Sequence, residues 1–176
     1  MKEQLQKDFE NTIRNLSLSQ KDIEIKKFSL DNFINKGFPN RREEDWKFSD
    51  LNQIINKNIG ELSFYNDYTS TNKVDTSVFV DGLVHNKIVF INGRIEKIDF
   101  DYEKKDQIEI IDQSEIINKF ENNNSLSDLN SAFTNKSFKI VVKKGYQLSK
   151  PLIIYHTTNS KIWSKNINLR LDFELQ

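Results

Sequence analysis

Leu5, Phe9, Ile13 and Leu16 recur at spacings of four, four and three residues. That rhythm stacks them on one side of an amphipathic helix. Ser19 followed by Asp22 has the form of a capping box, and Ile23, Leu30, Phe33 and Ile34 behind it share a second stripe. Gly37 marks the stop of that helix, with Pro39 just beyond. Ser49 is placed to cap a third helix over SDLNQIINKN, with Leu51, Ile54 and Ile55 facing inward and Gly60 near its end. Residues 61–76 are polar and aromatic without a clear period, and read as a connector.

Beyond Val78 the period changes. KIVFINGRIEKI places two strand-like runs around Asn92-Gly93, the dipeptide that supplies two positive-φ residues for a type I′ turn, and so predicts a β-hairpin. QIEIID adds a short strand. Ser114–Phe120 and Ser127–Phe133 read as short helices around the loop ENNNS, after which SFKIVVKKG, PLIIYH and NINLRLDFELQ return to β. In the last of these, Ile167, Leu169, Leu171, Phe173 and Leu175 alternate with Asn166, Asn168, Arg170, Asp172 and Glu174. Such a strand needs partners for its apolar face, and none follows it, so the sequence is expected to stop inside a β domain. The pattern as a whole predicts an α+β chain.

Composition narrows the functions open to it. Lys plus Arg number 26 and Asp plus Glu 26, so no global field draws the chain to nucleic acid or an anionic membrane. No stretch approaches the ~20 apolar residues of a membrane span, and the charged N-terminus MKEQLQKDFE has no secretory pattern, which makes a cytoplasmic location the expectation. The absence of cysteine removes disulfides, thiolate nucleophiles and Cys-ligated clusters from this chain.

Phosphate-cradling glycine loops, HExxH and GxSxG are all absent. His85 and His156 are too far apart to form a local metal pair, and each reads as a structural or surface histidine. Glu43, Glu44 and Asp45 beside Arg41 and Arg42 fit a salt-bridged helical face, with Arg41–Asp45 and Glu43–Lys47 at i,i+4. Trp46, beside Phe48 and Leu51, reads as a large packing anchor for a short helix that Pro39 introduces.

One stretch carries more than packing. GFPNRREEDWKFSDL, through Gly37, Pro39, Arg41, Arg42, Glu44, Trp46, Lys47, Phe48 and Leu51, resembles the N-terminal signature of the SufD family of iron–sulfur cluster assembly proteins. KIVFINGRI, DLNSAF and KIVVKKGYQLSKPLIIYHTT resemble later stretches of the same family in the same order, and NINLRLDFELQ resembles the first strand of its β domain. The likeness spans essentially the whole chain, and the wording of 37–51 with the lack of cysteine favours SufD over its paralogue SufB.

The resemblance implies an N-terminal helical region over 1–60, a connector with a hairpin and short helices over 61–136, and the beginning of a right-handed parallel β-helix core over 137–176. It implies a non-catalytic scaffold or accessory subunit of the SUF complex, supporting cluster assembly and iron supply. Its partners would be a SufB-like paralogue and a SufC-like ATPase, with no nucleic acid and no membrane. This segment would bind no cofactor or metal, the cluster being handled by the complex, and the nine signature residues would be chiefly structural. The other reading of the same residues is a β-rich binding module for a carbohydrate or protein partner.

Overall fold

A computed structural model describes residues 2–16, 18–58, 62–65, 73–113, 124–159, 162 and 165–176. They fall into two compact units, each assembled from three separate pieces of chain: 1–66, 114–135 and 164–168 form one, and 67–113, 136–163 and 169–176 the other. All four described α-helices belong to the first unit and all six described strands to the second.

In the helical unit, α1 (Lys2–Arg14) buries Leu5 and Phe9, with Ile13 packed against the same core. Leu16 lies past the helix end. α2 (Gln20–Lys36) opens where the sequence predicts: the Ser19 hydroxyl accepts the Asp22 N–H at 3.2 Å and donates to the Asp22 carboxylate at 2.5 Å. Leu30 and Phe33 enter the core and Ile34 packs beside them. The Gly37 N–H closes the helix on the Phe33 carbonyl at 2.7 Å. α3 (Leu51–Asn58) differs in its cap: the Asp50 carboxylate, not Ser49, accepts the Gln53 N–H at 3.0 Å. Asp50 is one residue closer to the first turn, which sets its oxygen opposite the third helical N–H. Ile55 is buried and Leu51 packs on the core, but Ile54 faces solvent. α4 (Ser125–Phe133) is capped by Asn124, whose side chain accepts the Leu126 N–H at 2.9 Å. The Phe133 ring stacks on Phe64 at 3.6 Å and meets Phe9 edge-on at 6.1 Å. The helix expected over Ser114–Phe120 lies outside the described residues.

In the strand unit, β1 (Asn86–Ile91) and β2 (Arg94–Asp99) form the expected hairpin, with φ of 52° at Asn92 and 80° at Gly93. β3 (Ile108–Asp112), β4 (Lys136–Val142), β5 (Leu152–Thr157) and β6 (Leu169–Leu175) complete two three-stranded sheets, ordered β2-β1-β5 and β3-β4-β6. Ile88 and Phe90 from the first sheet and Phe138 and Ile140 from the second share one core. Val89, Ile91 and Tyr155 form another cluster with Val74, Phe79 and Ile153. β1 is therefore covered on both faces, which explains why KIVFI reads as an unbroken apolar run rather than an alternating one.

The α+β class holds, but the β-helix expectation over 137–176 does not. Each sheet is mixed, with one antiparallel pair (β1 with β2, β3 with β4) and one parallel pair (β1 with β5, β4 with β6). No β-helix or solenoid is present among the described residues. A solenoid stacks equivalent units along one axis, whereas here the Asn92-Gly93 turn sends the chain straight back beside β1 and closes a small sheet.

Candidate functional site

The signature stretch begins with a constrained backbone. Gly37 has φ 73° and ψ −168°, a conformation essentially reserved for glycine. The turn it makes drives Phe38 back against Phe33, edge-on at 4.9 Å, with Pro39 fully buried beside them. These three residues root the stretch in the helical core.

From Asn40 onward the chain is on the surface. Its side chain accepts the Arg42 N–H at 3.0 Å, while the Glu43 carboxylate accepts the Asn40 N–H at 3.1 Å. These local bonds compete with helix formation, and a run this short does not nucleate one. A single 3-10 turn, Glu44–Trp46, takes the place of the expected helix. The i,i+4 pairs are replaced accordingly: Lys47 pairs with Glu44 at i,i+3. Arg41, Arg42, Glu44 and Lys47 are exposed, and Phe48 is 88% exposed with the Lys47 ammonium 5.3 Å from its ring centre. Trp46 is half-buried and stands outside the buried cores, so the deep anchor of the stretch is Phe38 with Pro39. Leu51 packs against the helical core from α3. Pro39 is thus buried and Leu51 packed on the helical core, Gly37 is half-buried at the turn before them, and the charged members of the signature face solvent.

Of the buried charged side chains Asp22, Lys26, Glu103 and Asp128, two collect hydrogen bonds from distant parts of the chain that were not anticipated. Lys26 is 1% exposed, and its Nζ donates to the carbonyls of Thr134 at 2.5 Å and Ser131 at 3.3 Å, capping the C-terminal end of α4. Burial lowers its pKa to about 8, against the pull of Asp22 one turn away. A signal was available: Ile23, Lys26, Leu30 and Phe33 fall at spacings of three, four and three, which sets a lysine inside the apolar stripe.

Glu103, in the strand unit, is 8% exposed and collects donors from three directions. Asn86 Nδ2 reaches Oε1 at 2.7 Å and Tyr146 OH reaches Oε2 at 2.7 Å; the Ser149 N–H and hydroxyl and the Lys150 N–H lie within 3.1 Å. Burial alone would raise its pKa, but these bonds outweigh it and hold the carboxyl at about 2. The result is a latch that ties the loop after β2 to residues 146–150 and to the start of β1. It is not an acid poised for proton transfer, which would need a pKa near the working pH.

His85 is buried. Its Nδ1 lies 2.6 Å from the Leu83 carbonyl, which can only accept, so Nδ1 carries the proton. Nε2 then accepts from the Tyr155 hydroxyl at 2.7 Å, and that oxygen in turn accepts the Val80 N–H at 3.0 Å. His156 projects from β5 largely into solvent, edge-on to Phe90 at 6.2 Å, and its partial burial lowers its pKa.

Among the described residues no group of three or more His, Asp or Glu side chains could hold a metal ion. A shallow open depression of about 220 Å³ is lined by Ile98, Phe100, Asp101, Lys105 and Ile108. Its two charges are opposite and offer no field of one sign to a charged ligand. Among the described residues no helix is long and apolar enough to cross a membrane. No protein-family model matches this chain, and no curated protein matches it.

Proposed function

We propose that this chain is a SufD-like scaffold or accessory component of cytoplasmic iron–sulfur cluster assembly, acting with a SufB-like paralogue and a SufC-like ATPase and performing no catalysis itself. The observation that carries the reading is the stretch 37–51 followed by the hairpin, the DLNSAF segment and the KPLIIYHTT approach in the family's order. Its physical division supports a scaffold role: the glycine and proline serve the fold, while Arg41, Arg42, Glu44 and Lys47 remain exposed and available to a protein surface. The cluster and its iron are cargo of the assembly, and none of the residues described above is assigned to hold them.

The test is affinity capture of the tagged native gene product from its own cells, followed by mass spectrometry. Recovery of SufB-like and SufC-like proteins in stoichiometric amounts is the expected result. A chain recovered without either would overturn the reading, and co-purification with a glycan or an unrelated protein would favour a β-rich binding module instead.

A further inference from the structure

Residues 74–84 cross the cluster formed by Val89, Ile91 and Tyr155 as a strap. Val74 and Phe79 pack on that cluster, the Phe79 ring 4.7 Å from that of Tyr155. Val78, Val80, Leu83 and Val84 face the other way and are 44%, 49%, 45% and 49% exposed. With most of its aliphatic side chains in solvent, the strap depends on the polar bonds beneath it. The Tyr155 hydroxyl accepts the Val80 N–H at 3.0 Å and bonds Nε2 of His85 at 2.7 Å, while Nδ1 of His85 meets the Leu83 carbonyl at 2.6 Å. One phenol oxygen therefore fixes both the middle of the strap and the residue that ends it.

This chain of bonds is complete only while the imidazole is neutral. Nδ1 then donates to Leu83, Nε2 accepts the phenol proton, and the phenol oxygen is left to accept from Val80. Protonation makes Nε2 a second donor, aimed at the hydroxyl that donates to it. Tyr155 can meet it only by turning its own proton away, and its bonds among the described residues include no other acceptor. His85 is 3% exposed and Tyr155 8%, so water has little access to take that place.

The surroundings also lack a carboxylate for the ring. On β1, Lys87 is itself a cation, its Nζ 3.3 Å from the His85 carbonyl, and it is paired with Asp99 of β2 at 3.2 Å, which Lys97 approaches at 3.7 Å. On β5, His156 points to the face opposite Tyr155, beside Phe90. On the strap and just before it, Asp75 accepts the Ser77 N–H at 2.9 Å, and Lys73 and Asp81 are exposed.

We propose that His85 is a proton-operated clasp: its neutral ring docks the strap 74–84 on β1 and β5, and uptake of one proton releases it. Release joins Val78, Val80, Leu83 and Val84 to the uncovered Val89, Ile91 and Ile153 in one apolar surface. The docked state binds one proton fewer than the released state, so docking weakens as pH falls. Histidine is the side chain that ordinarily changes charge between about pH 5 and about pH 8, and the sequence holds two, His85 and His156. This inference does not rest on the SUF assignment.

Amide hydrogen exchange followed by NMR on the full chain tests it, with rates corrected for their intrinsic pH dependence and His156→Gln as the background. The expected result is that the Val80 amide loses protection by about tenfold or more between about pH 7 and about pH 5, in step with the ring signals of His85, while the amides of β3 and β4 keep theirs. His85→Gln carries no titrating group and should remove the pH dependence. Tyr155→Phe deletes the shared oxygen and should leave Val80 poorly protected at every pH. Constant Val80 protection across that range would overturn the proposal, as would a loss out of step with the His85 ring signals or one that persists in His85→Gln. Nitrogen-15 spectra showing the proton of the neutral ring on Nε2 would do the same.

Discussion

Burying the Lys26 ammonium makes the helical unit's stability depend on pH in a direction opposite to that of a lysine held in an ion pair. In the folded chain its pKa is about 8, and in the unfolded chain it returns toward the ordinary 10.5. Between those values the unfolded state binds more protons than the native one, so unfolding becomes harder as pH rises through that window. The gap corresponds to roughly 3 kcal/mol in full, and to about 2 kcal/mol between about pH 7 and about pH 9.5. The neutral amine keeps two N–H groups, enough for the Ser131 and Thr134 carbonyls, so deprotonation removes the buried charge without orphaning either acceptor. Lys26→Met abolishes the titration while filling the same space. Urea unfolding followed by the helical circular-dichroism signal reports on the unit that holds all the described α-helices. Other lysines titrate alike in both proteins, so the quantity that matters is the wild-type minus Lys26→Met difference. It should grow in favour of wild type by about 2 kcal/mol across that range. Parallel curves would refute the reasoning. A difference that shrinks with pH would mean that Asp22 and the negative end of α4 outweigh desolvation, so that the ammonium is the favoured buried form.

Gly37→Ala forces a Cβ onto a backbone held at φ 73° with open space around it, so the cost is conformational alone, about 1–3 kcal/mol in chemical denaturation. Phe38→Ala should destabilise the helical unit by about 3–5 kcal/mol, and the half-buried Trp46→Ala by clearly less; equal losses in paired melts would restore Trp46 as the anchor. Glu103 is depressed from 4.5 to about 2, so its contribution is fully present above about pH 4.5 and is lost as pH falls toward 2. Glu103→Gln should flatten the acid limb of stability for the strand unit, and an unchanged acid limb would show that the latch carries no such linkage.

Much of the fold was legible because local rules and tertiary demands agree. Ser19 and Gly37 bound α2 as their chemistry requires, and Asn92-Gly93 makes its turn where the dipeptide stands. Failures came where a nearby competitor or a distant partner decided. Asp50 outcompeted Ser49 for the cap, and Asn40 and Glu43 folded their own side chains onto the backbone where a helix was expected. The arrangement of strands into two mixed sheets depends on which distant segments meet, such as β1 with β5 across 66 residues and β4 with β6 across 33, and alternation within one strand carries no record of that. Glu103 was invisible for the same reason, since its donors come from Asn86, Tyr146 and Ser149. Lys26 was visible in principle, as a charge at a stripe position, but its acceptors lie 105 and 108 residues away.

Lys26 and Glu103 are two solutions to one problem, a charge enclosed by a chain in which 30% of residues are charged. The number of hydrogen-bond partners decides between them. Two carbonyls and one aspartate do not replace the water lost by an ammonium, so Lys26 is pushed toward neutrality. Donors from Asn86, Tyr146, Ser149 and Lys150 more than replace the water lost by a carboxylate, so Glu103 is pushed toward ionisation. Near neutral pH Glu103 in the strand unit is therefore held in its favoured state, while Lys26 in the helical unit is held in an unfavourable one. The helical unit, in which the surface stretch 40–48 is rooted through Phe38 and Pro39, accordingly gains stability as pH rises from about 8 toward 10.5.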